Sequence, residues 1–196
     1  MNEMVKMVLV LTVLTSFSGG LLAAIKTGTE EQIEMQELKF VKGPAIKAIL
    51  DGAENDPITD RFKVKDGDTE YSVFVGKFNG KANTVAIESA ASGFGGPVGV
   101  MVGVNLDKDE VVGVGVTTHS ETPGLGSRAK DDLGFVAQFK GGTIMEPFKV
   151  AKDGGKINSL SGATITSRAV CQAASQVGTI YEKLKPEILK NVAAIK

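Results

Sequence analysis

Ser161-Gly162-Ala163-Thr164-Ile165-Thr166-Ser167 is a small, hydroxyl-rich stretch standing where a helix begins. From Thr166 onward, Val170, Ala173, Val177, Tyr181 and Leu184 recur at helical spacing. A helix start carries unpaired backbone N–H groups and roughly half a positive charge, so an anion is held there without an arginine cluster. Gly162 and Ala163 have no bulk and let a ligand approach the backbone. The stretch reads as a phosphate seat lined by hydroxyls. Ser161 as a plain N-cap is the competing reading, and the rest of the chain has to decide between them.

The chain has 196 residues, enough for one sizeable domain and an appendage. A formal charge of −1 supplies no basic field for nucleic acid, and the absence of tryptophan weakens any base-stacking platform. The 24 glycines sit beside abundant apolar residues, which points to tight turns and close backbone approach rather than disorder. A single cysteine, Cys171, excludes an internal disulfide, a cysteine-built metal site and an iron–sulfur cluster. A single histidine, His119, argues against a multi-histidine metal or haem site. No metal ligands and no catalytic acid–base pair are expected. Any redox chemistry has to come from an organic cofactor.

Residues 7–25 are almost unbroken apolar and small, close to the ~20 residues that cross a bilayer as a helix. A retained membrane anchor is expected in preference to a signal peptide, because the apolar run exceeds a usual signal core. Lys6 and Lys26 flank the span, too few charges to orient it.

Beyond the span, residues 30–50 read as helix, broken or kinked at Gly43-Pro44, and residues 51–60 as a polar connector. Strands are expected over 71–78 and 84–88, joined at Asn79-Gly80. The clearest hairpin pairs 98–106 with 111–118. A short helix is expected over 130–139 with Leu133, Val136 and Phe139 on one face, and a strand over 148–152. The final helix runs from the Ser161 loop to about Pro186. The order gives a mixed α+β fold with an antiparallel sheet, and no glycine pattern of a Rossmann or Walker type is present.

Two further loops suit a ligand wall. One is Ser92-Gly93-Phe94-Gly95-Gly96-Pro97, whose one large side chain is Phe94. The other is His119-Ser120-Glu121-Thr122-Pro123-Gly124-Leu125-Gly126, with a Pro-Gly turn and Leu125 placed against the face of a planar heterocycle. Taken singly, each is better explained as an ordinary connector, the second with Glu121 solvated and His119 incidental.

Together, SGATITSRAV, the Gly-Phe-Gly-Gly-Pro-Val loop with its hairpin, HSETPGLG and one N-terminal span resemble the FMN-binding domain family. Within it the chain is similar to the G subunits of Rnf electron transport complexes. The C subunits of sodium-translocating quinone reductases are the related alternative. The resemblance implies an anchor over 1–29, a helical linker over 30–60 and an FMN-binding domain over 61–196. It also implies FMN joined through its phosphate to Thr164, with Thr166 the second choice, by a separate flavin transferase. Ser161, Gly162, Ala163 and Thr166 are then expected at the phosphate and ribityl chain, and Glu121, Thr122, Gly124 and Leu125 around the flavin ring. Asn158 stands where the transferase pattern usually has aspartate. The implied role is electron relay in ferredoxin:NAD+ oxidoreduction coupled to Na+ or H+ movement, beside the A, B, C, D and E subunits of an Rnf complex. The implied location is the cell (inner) membrane, with the soluble domain extracytoplasmic. A free-standing extracytoplasmic flavin carrier and a membrane-tethered structural protein are the other readings.

Overall fold

Valines at every second position organise the domain. In the strand Pro97–Asn105, Val98, Val100, Val102 and Val104 face one way, while Gly99, Met101 and Gly103 face the other. The computed structural model describes residues 2–195. Five strands form a single antiparallel sheet in chain order: β1 (Arg61–Asp66), β2 (Thr69–Phe78), β3 (Lys81–Ser92), β4 (Pro97–Asn105) and β5 (Glu110–Val116). Irregularities at Gly76/Lys77 and Gly103/Val104 shift the register of the second and fourth pairings.

The valine face packs on a long C-terminal helix, α5 (Thr164–Ala194), which lies across β3 and β4. Val170, Ala173, Ala174, Val177, Tyr181, Leu184 and Ile188 of α5 are all buried in this core. The opposite face is covered by α2 (Gly43–Ile49), packed on β4 and β5. Glycines make that approach possible, since a Cβ on Gly103 would lie 2.3 Å from Ile49 Cγ2. Both faces are therefore buried, and residues 98–104 are fully enclosed although the sheet is antiparallel.

The chain forms two compact units, residues 1–38 and 39–196. The first is dominated by α1 (Glu3–Gln36), which has no buried residue and is long and apolar enough to cross a membrane. The hydroxyls of Thr12 and Thr15 donate to the carbonyls of Val8 and Leu11, each at 2.8 Å, so they are satisfied within their own helix. A π-helical turn (Glu37–Lys42) follows, and Pro44 then stands in the first turn of α2, where its missing N–H costs nothing.

Several sequence expectations need correction. Pro186 does not end α5, which continues to Ala194. Ile188 and Val192 beyond it are buried, and their burial outweighs a bond lost to proline. Residues 130–139 form two short helices, α3 (Arg128–Asp131) and α4 (Leu133–Ala137). Asp132 separates them in an extended conformation and caps the second by accepting from the Phe135 N–H. Leu133 consequently points outward, 78% exposed. The expected strand over 148–152 is a single parallel bridge, Val150 to Ile157, followed by a 3₁₀ turn over Ala151–Asp153. Gly154, at φ 81°, reverses the chain too soon for a strand.

Candidate functional site

Three loops meet at the start of α5, and the buried carboxylate of Glu121 joins them. Its Oε1 accepts the Gly95 N–H at 2.8 Å, and its Oε2 accepts the Thr166 hydroxyl in a short hydrogen bond. Glu121 is 6% exposed and Thr166 is 2% exposed. Glu121 therefore belongs to the buried framework, and the solvated-connector reading of this residue is excluded. His119 helps to shape the same loop, its Nδ1 accepting the Glu121 N–H at 3.3 Å.

The fit leaves no room for a side chain at Gly95 or Gly126. A Cβ on Gly95 would lie 2.1 Å from the Ser120 carbonyl oxygen. One on Gly126 would lie 2.5 Å from Glu121 Oε2 and 2.7 Å from Thr166 Oγ1. Gly162 has φ +78°, a conformation that glycine adopts freely, and it turns the chain into α5. Ser167 completes the turn, accepting the Leu160 N–H at 3.0 Å and donating to the Ala163 carbonyl at 2.9 Å.

The helix starts at Thr164, and no side chain caps it. Ala163 occupies the N-cap position, so the reading of Ser161 as the N-cap does not hold. The first N–H groups of α5 are left to whatever occupies the cleft beside them. That cleft measures about 460 Å3, within the range of small-molecule and cofactor sites. Glu121, Thr122 and Leu125 line it from one loop, and Gly162, Ala163, Thr164 and Thr166 from the other. Gly124 and Ser161 belong to the same two loops but lie outside the lining. Gly124 instead donates its N–H to Ser127 Oγ at 2.9 Å.

Phe94, Gly126, Lys152 and Ile165 complete the lining. Phe94, Leu125 and Ile165 expose 72%, 48% and 49% of their surface, an unusual outlay of apolar area around one cleft. Phe94 is visible in the sequence as the one large side chain of its glycine loop. Lys152 and Ile165 give no such signal.

The two threonines differ in availability. Thr166 is buried with its hydroxyl engaged by Glu121, whereas Thr164 is partly exposed at the cleft. Cys171, the one thiol, is buried, and desolvation pushes its pKa up to about 12, so it is inert at neutral pH. Among the described residues no cluster of His, Cys, Asp or Glu could hold a metal ion. An apolar-walled cleft ending at an uncapped helix start suits a planar ring carrying a phosphate, and the residues present fit FMN.

Comparison with known proteins agrees with this geometry. Residues 93–177 match the FMN-binding domain family, a span that begins at the Phe94 loop and includes the start of α5. The G subunit of the ion-translocating oxidoreductase complex of Vibrio atlanticus is 33% identical, covering 90% of this chain and 89% of its own. The chain belongs to this G-subunit family. The corresponding protein of Vibrio vulnificus is 30% identical over 96% of this chain and 94% of its own. The crystal structure of Shewanella oneidensis NqrC shares the fold, with a TM-score of 0.51, 23% identity, and coverage of 68% of this chain and 72% of that one. The mixed α+β architecture, with its antiparallel sheet and C-terminal helix, is thus also that of a solved protein.

Proposed function

We propose that this chain is a membrane-anchored flavoprotein subunit of an ion-translocating oxidoreductase complex, carrying FMN joined through its phosphate to Thr164. The observation that carries the reading is the contrast at the start of α5. Thr164 is open to the cleft at an uncapped helix terminus, while the Thr166 hydroxyl is committed to buried Glu121.

Bound FMN supplies electron transfer between redox centres of the complex, in ferredoxin:NAD+ oxidoreduction that drives Na+ or H+ across the membrane. The chain's own residues bind and orient. The first turn of α5 faces the phosphate with its N–H groups and the positive end of the helix dipole, worth up to ~2 kcal/mol when partly buried. Micromolar binding alone requires about 8 kcal/mol, so a covalent link at Thr164, made by a flavin transferase, is what secures occupancy on an open extracytoplasmic face. Phe94, Leu125 and Ile165 offer apolar surface to the ring, and Glu121 holds their loops together.

Denaturing electrophoresis tests the assignment. The protein from native membranes is expected to keep flavin fluorescence after unfolding, and Thr164→Ala to lose it. Retention of the fluorescent band in Thr164→Ala overturns the attachment site. Sidedness is tested by labelling Lys81→Cys in intact cells, since Cys171 is too buried to react; labelling only from the cytoplasm contradicts the placement.

A further inference from the structure

Lys152 lines the same cleft as Thr164, and among the described residues no carboxylate pairs with it. It is the middle residue of the 3₁₀ turn Ala151–Asp153. That turn is tightly fixed: the N–H of Asp153 donates to the Val150 carbonyl at 2.8 Å, and the N–H of Gly155 to the same carbonyl at 3.0 Å. Its next residue, Asp153, is gripped by Arg168 through two parallel bonds, Nε to Oδ2 and a terminal guanidinium nitrogen to Oδ1, each at 2.7 Å. Arg168 stands on α5, one turn after Thr164. The turn bearing Lys152 is therefore fastened to the helix that presents Thr164.

The charges sort themselves accordingly. Arg168 neutralises Asp153 and holds its carboxyl below the usual range, which leaves Lys152 as an uncompensated cation at the cleft. A phosphate esterified to threonine keeps one negative charge, and the helix start balances only about half of it. On the flavin reading of this cleft, we propose that Lys152 pairs with the phosphate of the bound flavin and that the Asp153–Arg168 pair is the positioning clamp that holds it there.

Free flavins test the pairing apart from covalent loading. The full-length chain is purified in detergent without flavin transferase, as Thr164→Val, and titrated with FMN and with riboflavin, which lacks the phosphate. FMN is expected to bind more tightly. Lys152→Gln is expected to weaken FMN about two- to fivefold at low salt, with the difference shrinking as salt rises, and to leave riboflavin unchanged. Lys152→Arg should restore most of the preference. Asp153→Asn should lower the FMN-to-riboflavin ratio without altering riboflavin binding, a change that a merely structural role would not produce. FMN affinity unchanged in Lys152→Gln, with FMN still preferred over riboflavin, overturns the pairing and spares the flavin reading. Failure of both flavins to bind at millimolar concentration, or equal binding of the two, overturns the phosphate seat and the pairing with it.

Discussion

The Thr166 hydroxyl donates to the Glu121 carboxylate across 45 residues of sequence, and both side chains are buried. Through this bond the first turn of α5 is tied to the loop after β5, and the second carboxylate oxygen reaches on to Gly95. Thr166, which holds the framework, and Thr164, which faces the cleft, are thus two residues apart on one helix in different surroundings.

That division predicts opposite phenotypes. Thr166→Val strands a buried carboxylate oxygen and should cost about 1–3 kcal/mol, lowering the melting temperature by roughly 3–10 °C. Thr164→Val should leave the melting temperature of the flavin-free protein within about 1 °C, because its side chain has no such commitment. Thermal denaturation of the two flavin-free variants distinguishes them, and equal destabilisation would contradict the assignment.

The glycine face of the sheet gives a prediction remote from the cleft. Gly103→Ala forces a Cβ against Ile49 Cγ2 and should destabilise by about 1–3 kcal/mol. Ile49→Ala in the same chain should recover part of that loss by opening the space. A double-mutant cycle in urea measures the coupling, and additive effects would mean that α2 does not sit on Gly103.

A polar cluster fastens the β4–β5 turn to α5 and sets a pH window. Lys185 Nζ lies 2.7 Å from both oxygens of Asp109, and the Tyr181 hydroxyl donates to one of them at 2.7 Å. Burial pushes the Asp109 carboxyl up, but the bonds from Lys185 and Tyr181 outweigh it and hold its pKa below the ordinary value. The stabilisation is therefore complete above the unfolded value of about 3.9 and is lost as pH falls through the lower folded one. Burial and Asp109 raise the Tyr181 pKa, so its share is complete below about pH 10 and fades above it. Urea midpoints followed against pH should fall at both ends. Asp109→Asn should flatten the acid limb, and an unchanged limb would remove Asp109 from the account.

Much of this was legible because it is local. The β4–β5 hairpin shows as alternating valines and glycines, and the start of α5 as small residues ahead of a helical repeat. What escaped depends on distance or on competing forces. β1 carries Arg61, Lys63 and Lys65, and only Val64 is fully buried, so this edge strand between the expected connector and the 71–78 strand raised no expectation of its own. Pro186 marked a helix end by local rule, but Ile188 and Val192 had a core to enter. Glu121 read as a solvated loop acid because its partners, Gly95 and Thr166, lie 26 residues before it and 45 after it. Lys152 owes its place to a turn fastened by Arg168, which no local pattern announces.

The central claim is chemical, and one peptide tests it. Trypsin releases residues 157–168, INSLSGATITSR, from the start of α5. Mass spectrometry of this peptide from native membranes should show it heavier by one FMN less one water, with fragmentation placing the addition on Thr164. The unmodified peptide alone, or the addition on Thr166, would contradict the account.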